Sequence, residues 1–231
     1  MARPLRIATF NIAHGTDGAK NETLEKQIKL LQLMALDLSP DVVFLQELDK
    51  NALRSGGIDQ LDKIAGELGY YNRFMSENLS FDTGGSYGVG IMTNLPRLKV
   101  RKIPLVVGEG REPRGIANMI VEHGGQLIHL YCCHYPTTEE ERVDASYVLA
   151  EDIAKVKQVN SSGVIVVGGD FNWGKQKLGG DHNYDRKVSE TYPEVEPLKR
   201  VRINNAGQYR RYVAIKRAFR MYRYFFLLRY S

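Results

Sequence analysis

The chain has 231 residues, of which 43% are hydrophobic, and a formal net charge of +5. This length and composition suffice for one globular domain with a large core. No run of 18 consecutive apolar residues is present, and the two cysteines are adjacent; these features argue against a membrane-spanning helix, a disulfide framework and a cysteine-based zinc site. We therefore expect a soluble, cytoplasmic protein that acts as a monomer.

The positive charge is concentrated in a C-terminal tail. Residues 198–231 contain ten Lys or Arg and no Asp, Glu or His, whereas residues 1–197 contain 22 basic and 27 acidic side chains. This change in composition predicts a domain at 1–197 followed by an atypical basic, aromatic tail at 198–231.

Taken in order, the first part of the chain alternates between apolar runs and amphipathic segments. Strands are predicted at 5–12 and 42–48, each ending in polar residues. A helix is predicted to follow each strand, the first capped by Asn21 and the second by Asp59, with Gly69 just past the end of the second.

The middle third has the pattern of an antiparallel meander. Short turns rich in Gly, Asn and Pro separate four β-rich runs, at 88–93, 99–106, 115–122 and 127–133. Thr137 and Glu140 then form a predicted capping box that opens a third helix.

The next strand, at 164–167, is the one around which the chain is organised. It is apolar throughout, and Gly168 and Gly169 separate it from Asp170 and Asn172. Strands covered by helices at both ends of the chain, with hairpins between them, predict an α/β fold in which two mixed sheets pack face to face.

Polar side chains with metal-binding or acid–base chemistry recur at the ends of the predicted strands. They are Asn11, Glu47, His134, Asp170 and Asn172. Taken singly, each is an ordinary cap or turn residue, and Asp170 with Asn172 is typical of an Asx turn. Four strands that bring five such groups to what could be one edge favour a shared site instead.

An ordered series of motifs resembles the endonuclease/exonuclease/phosphatase superfamily of DNase I-like metal-dependent phosphodiesterases, in its uncharacterised bacterial branch. The matching segments are Thr9-Phe10-Asn11-Ile12, Leu45-Gln46-Glu47, Gly88-Val89-Gly90-Ile91-Met92-Thr93, Glu112-Pro113-Arg114-Gly115, Cys133-His134 and Gly168-Gly169-Asp170-Phe171-Asn172. The resemblance implies a four-layer α/β/β/α sandwich and hydrolysis of phosphoesters.

The resemblance also implies a role for each polar residue. Glu47, helped by Asn11, would hold Mg²⁺, with Mn²⁺ as a possible substitute, because a hard cation suits oxygen ligands. His134, Asp170 and Asn172 would be catalytic: Asp170 would orient or deprotonate the attacking water, Asn172 would fix that water or a phosphoryl oxygen, and His134 would donate to the phosphate.

Arg114 and Trp173 each allow two interpretations. The guanidinium of Arg114 can bind a phosphate through two hydrogen bonds, but it can equally be a surface arginine paired with Glu112. Trp173 can line the substrate cleft or cover an edge of the core.

The chain departs from the family at its C-terminal end. Members normally finish with an aspartate-containing strand and a Ser-Asp-His motif, but no histidine follows His182 here. We favour an altered end that replaced the last family strands. The alternative is a basic amphipathic helix, with Tyr212, Ile215, Phe219, Tyr222 and Phe226 near one face, that contacts nucleic acid or an acidic membrane surface.

Two functions follow from these observations. The first is a Mg²⁺-dependent phosphoester hydrolase of the phosphodiesterase, nuclease or phosphatase type, impaired by loss of the terminal histidine. Its substrate could be nucleic acid, a phospholipid head group or a sugar phosphate. The second is a non-catalytic binding module with a degenerate nuclease-like fold and a basic tail.

Overall fold

Nine strands and three α-helices make up the part of the chain that the computed structural model describes, which is residues 5–16, 24–172 and the backbone of 225–230. The strands are β1 (Leu5–Asn11), β2 (Val42–Lys50), β3 (Asn72–Ser80), β4 (Ser86–Thr93), β5 (Arg97–Leu105), β6 (Arg114–His123), β7 (Gln126–His134), β8 (Val164–Asp170) and β9 (Phe225–Tyr230). The helices are α1 (Leu24–Leu38), α2 (Gln60–Leu68) and α3 (Glu139–Val159).

The strands form two mixed sheets. The first sheet has the order β3-β4-β2-β1-β9 and the second has the order β5-β6-β7-β8. β1 and β2 are parallel, as are β7 and β8, whereas the other pairs are antiparallel. Because parallel neighbours end at the same edge of a sheet, each sheet brings the polar ends of two strands together.

Three apolar clusters hold four layers together. One lies between the first sheet and the helices α1 and α2, and it includes Phe10 and Leu45. The second lies between the two sheets and includes Phe44, and the third joins the second sheet to α3. The predicted four-layer α/β/β/α sandwich is therefore confirmed.

The adjacent cysteines are apolar packing groups on opposite faces of β7. Cys132 lies between the sheets and Cys133 lies beneath α3, and both thiols are free and fully buried. This follows from the two-residue period of a strand. Burial raises the pKa of Cys132 to about 12, so the thiol stays protonated.

Two local predictions need correction. Strand β3 was not predicted, because its sequence lacks a clear alternation of apolar residues, and it forms an edge of the first sheet with mostly half-buried side chains. The predicted capping box is displaced by one residue: α3 begins after Thr138, whose hydroxyl donates to the Glu141 carboxylate. Asn21 lies outside the described residues.

The last strand comes from the basic tail. β9 pairs antiparallel with β1, with Phe225 opposite Phe10 and Tyr230 opposite Leu5. A helix that includes Phe226 is therefore wrong, and the tail supplies a strand at 225–230. Residues 198–224 lie outside the described part, and the domain boundary at 197 stays a prediction.

Among the helices of residues 24–172, none has the length and apolarity needed to cross a membrane.

Candidate active site

The polar strand ends of the two sheets meet at one edge of the sandwich. Asn11 ends β1, Glu47 lies near the end of the parallel strand β2, and Asp170 ends β8. Asp170 is also the register partner of His134, the last residue of β7. The structure thus brings together four of the five polar residues singled out in the sequence, and Asn172 follows two residues after Asp170.

Asn11 joins the two sheets at this edge. Its amide nitrogen donates to Glu47 Oε1 at 2.8 Å and to Asp170 Oδ2 at 3.0 Å. Its amide oxygen accepts a hydrogen bond from the backbone of Ala13 at 3.0 Å. Two carboxylates therefore converge on one neutral amide, an arrangement that favours a nearby cation.

Asp170 takes part in both an Asx turn and the site. Its Oδ1 accepts from the backbone N–H of Asn172 at 2.9 Å, which closes the turn. Its other oxygen, Oδ2, faces Asn11. Both interpretations of Asp170 therefore apply. Its Oδ1 takes part in the Asx turn, and its Oδ2 faces the site.

The side-chain amide of Asn172 contacts the segment that follows β7. Its nitrogen donates to the backbone oxygen of Tyr135 at 2.6 Å, and its backbone has a positive φ of 52°. Asn is one of the few residues that accept this conformation readily. In this arrangement Asn172 supports the turn, and its contact with substrate stays a prediction.

Gly169 lets the end of β8 approach β7 closely. Its φ is 140°, and a Cβ at this position would lie 2.0 Å from the backbone oxygen of Cys133. Only glycine fits there, which explains why a glycine directly precedes Asp170 in the sequence.

A second group of side chains lies beside the carboxylates. Arg114 Nη1 contacts His134 Nδ1 at 3.0 Å and donates to the Tyr87 hydroxyl at 3.1 Å. Because a guanidinium only donates, Nδ1 of His134 is an acceptor and the ring proton is on Nε2. That N–H is the type of donor a phosphate oxygen accepts.

Arg114 combines both interpretations offered by the sequence. It forms an ion pair with Glu112, yet its side chain is only 13% exposed and contacts His134 and Tyr87. Burial raises the pKa of Tyr87 well above its ordinary value, so its hydroxyl stays neutral beside these groups. Sequence reasoning missed Tyr87, since nothing in the local pattern marks a tyrosine at the start of a strand.

A buried polar contact lies next to the site, at the residue that precedes Glu47. Gln46 precedes Glu47 and donates to Thr9 Oγ1 at 3.0 Å and to Cys132 Sγ at 3.3 Å. Since Thr9 belongs to the first sheet and Cys132 to the second, this contact ties the sheets together directly under the carboxylates.

His14 is a further site residue that sequence reasoning missed. Its Nδ1 lies 3.6 Å from Glu47 Oε2, and its ring centroid lies 6.3 Å from that of Tyr87. The only sequence signal was a His-Gly pair shortly after Asn11, which is too common to indicate a site.

The side chains around Glu47 include several oxygen donors and one imidazole that could contact a divalent cation. Within the described ranges no cluster of three or more His, Cys, Asp and Glu side chains is arranged to hold a metal. However, Glu47 is 18% exposed and lies near His14, Asn11 and, through Asn11, Asp170. Carboxylate and amide oxygens at a partly exposed position suit an ion that keeps most of its water ligands.

Trp173 and His182 lie outside the described residues, and their roles stay predictions.

Comparison with known proteins gives one family and several structures of the same fold. The model of the Endonuclease/Exonuclease/phosphatase family matches residues 8–221, and so extends into the tail. No curated protein has a matching sequence. D. rerio TDP2 complexed with a single-strand DNA product is 21% identical, with a TM-score of 0.58; the match covers 80% of this chain and 65% of that chain.

Two further structures are similar at the level of the fold. Sphingomyelinase C from Streptomyces griseocarneus is 16% identical with a TM-score of 0.61, and the match covers 81% of this chain and 69% of that chain. A mannosyl-6-phosphatase from Bacteroides thetaiotaomicron is 15% identical with a TM-score of 0.61. The match covers 80% of this chain and 70% of that chain.

The chain covers between 51% and 72% of the length of the structures that it resembles. At these identities the similarity establishes the fold. The family model, in contrast, matches most of the sequence, and the chain therefore belongs to the Endonuclease/Exonuclease/phosphatase family.

Proposed function

We propose that this protein is a metal-dependent hydrolase of phosphoester bonds. The observation that carries the proposal is the Asn11 amide that joins Glu47 and Asp170 next to the Arg114–His134 pair. Acidic groups that can hold a cation and activate water thus lie beside donors that can bind a phosphate. Family membership and the names of the structural neighbours support the same class of reaction.

Asp170 is the proposed general base. Its Oδ1 is held by the Asx turn and its Oδ2 by Asn11, so the carboxylate has a fixed orientation before substrate arrives. Such a group accepts a proton from the attacking water, and general acid–base catalysis typically contributes about 10² to 10⁴-fold.

His134 and Arg114 are the proposed phosphate-binding groups. His134 offers its Nε2 proton, because Arg114 occupies Nδ1. The charged guanidinium of Arg114 contacts Nδ1 of the same imidazole. Hydrogen bonds that involve a charged group are about twice as strong as those between neutral groups. These side chains hold and polarise the phosphoryl oxygens.

Glu47, assisted by Asn11, is the proposed holder of the divalent cation, Mg²⁺ or Mn²⁺. When bound, such an ion neutralises charge on the phosphate and on the leaving oxygen. Asn11 Oδ1 already accepts from Ala13, so in this arrangement Asn11 acts first by orienting Glu47 and Asp170.

The substrate class is proposed only as a phosphoester. The similar structures include a TDP2 complexed with single strand DNA product, a sphingomyelinase C and a mannosyl-6-phosphatase. Nucleic acid, phospholipid head groups and sugar phosphates are therefore all candidate substrates.

The experiment measures hydrolysis of bis-p-nitrophenyl phosphate and of p-nitrophenyl phosphate by the full chain with Mg²⁺ or Mn²⁺. We expect slow, EDTA-sensitive turnover, because residues 183–231 contain no histidine that could act as a further proton donor. The relative rates on diester and monoester separate phosphodiesterase from phosphatase activity. Asp170→Asn should reduce the rate by at least about 10²-fold.

The matched control is Asp144→Asn, an exposed aspartate on α3, which should leave the rate unchanged. A folded protein with no metal-dependent turnover on either ester would contradict the proposed activity. That outcome would favour the non-catalytic binding module instead.

A further inference from the structure

His14 lies beside the carboxylate that is proposed to hold the cation. It belongs to the short 3-10 turn Ala13–Gly15 that directly follows Asn11 and Ile12. Its side chain is 31% exposed, and its Nδ1 lies 3.6 Å from Glu47 Oε2. Asn11 donates to the other carboxylate oxygen, Oε1.

The backbone that presents His14 has an uncommon conformation. Ala13 and His14 have φ values of 50° and 46°, in the left-handed region that residues with a Cβ rarely adopt. Two such residues in succession persist only where surrounding contacts determine the conformation.

Those contacts come from the site and from α2. The backbone N–H of Ala13 donates to Asn11 Oδ1, and the carbonyl of His14 accepts from Gln60 Nε2 at 2.8 Å. Gln60 is 1% exposed, and its own oxygen accepts from the backbone N–H of Asp49 at 2.8 Å. One buried amide thus fixes His14 relative to the strand that carries Glu47.

The distance between the two donor atoms is compatible with a shared ion. Two ligands that each lie about 2.1 Å from one cation can be at most about 4.2 Å apart. The separation of 3.6 Å between Nδ1 and Oε2 satisfies this limit. An imidazole nitrogen suits transition-metal ions, whereas Mg²⁺ favours oxygen ligands.

We propose that His14 is a nitrogen ligand of the divalent ion at Glu47, and that it gives the site a preference for Mn²⁺ over Mg²⁺. This inference rests on the proposed function, because it assumes that Glu47 holds a cation. It adds a ligand from the strained turn to a site that would otherwise consist of oxygen donors.

The test is pulsed electron paramagnetic resonance of the full chain loaded with Mn²⁺. A directly bound imidazole produces a modulation from its ¹⁴N nucleus in the electron spin echo. We expect this modulation in the wild type, its loss in His14→Gly, and its retention in His134→Gln, which removes the other imidazole near the site.

Glycine is chosen because it accepts positive φ, so the turn should keep its shape. If His14→Gly does not fold, His14→Asn replaces it, since Asn also tolerates this region. In titrations followed by melting temperature, either variant should weaken Mn²⁺ binding by about tenfold or more while leaving Mg²⁺ binding nearly unchanged.

The outcomes separate this inference from the proposed function. Mn²⁺ that binds in a Glu47-dependent way but without ¹⁴N modulation, or with modulation that survives in His14→Gly, overturns the role of His14 alone. Mn²⁺ and Mg²⁺ that fail to bind, or that bind equally well to Glu47→Gln, overturn both proposals.

Discussion

Asp170 illustrates at the scale of a single residue why turn chemistry and site chemistry were hard to separate in the sequence. A carboxylate has two oxygens, and here Oδ1 closes an Asx turn while Oδ2 meets Asn11 across the gap between the sheets. The local pattern predicted the first contact. The second depends on a residue 159 positions away in the sequence, so local patterns carry no trace of it.

Tyr70 provides a prediction on pH dependence. Its hydroxyl donates to the carbonyl of Pro40 at 2.6 Å, and burial together with Asp41 raises its pKa from 10.0 to about 12. In the unfolded chain the phenol ionises near pH 10, before the folded protein does. The contribution of Tyr70 to stability is therefore present below pH 10 and is lost as the pH rises toward 12.

We expect this loss to amount to about 2–3 kcal/mol in the wild type. Tyr70→Phe should be less stable near pH 8 by about 1 kcal/mol, because its hydrogen bond is missing, but should show a shallower decline between pH 10 and 12. Urea unfolding at a series of pH values measures both. If stability fell equally with pH in the wild type and in Tyr70→Phe, the raised pKa of Tyr70 would be contradicted.

Contacts between elements hold α3 on the second sheet. Arg101 on β5 donates two hydrogen bonds of 2.8 Å to Asp152 on α3, and the Tyr131 hydroxyl on β7 donates a third of 2.8 Å. Burial alone would raise the pKa of Asp152, but the hydrogen bonds from Arg101 and Tyr131 outweigh it and lower the pKa below its ordinary value.

Asp152→Ala should therefore destabilise the protein by about 1–3 kcal/mol, with partial exposure of Arg101 reducing the effect. Since the folded pKa of Asp152 is depressed, its contribution is present above the unfolded value of 3.8 and is lost as the pH falls below it. Urea unfolding of the wild type and of Asp152→Ala at pH 7 and at acidic pH measures the difference in their free energies of unfolding. This difference should be smaller in acid.

Asp144→Ala on the exposed face of α3 is the control for this prediction, with an expected change within about 0.5 kcal/mol. Equal losses in the two variants at pH 7 would mean that the contact of Asp152 with the sheet does not explain the effect.

At the scale of the whole molecule, the basic tail contributes to the fold. The backbone of β9 covers the edge of β1, the strand that carries Asn11. An uncovered strand edge presents unpaired N–H and C=O groups to other chains. Deletion of 225–231 should therefore lower the melting temperature and promote association.

Melting curves and size-exclusion chromatography measure these effects, with deletion of Ser231 alone as the control. A shortened chain that melts and elutes like the full chain would show that β9 does not stabilise the first sheet.

The sequence by itself determined the class of fold and the identity of the groups at the strand ends. Apolar runs of strand length, helix caps such as Asp59, and the Gly pair before Asp170 are local signals, since each reflects the backbone's own conformational preferences. Asn11 and Glu47 could be singled out because a polar residue that ends an apolar strand needs an explanation.

Only the tertiary structure decided which groups meet. The proximity of His14 to Glu47, the contact of Tyr87 with Arg114 and the pairing of β9 with β1 all join segments far apart in the sequence. These contacts depend on how segments distant in the sequence pack against one another, so they leave no periodic signal within any one segment. They arise when the layers come together, and they give the strand-end residues a common site.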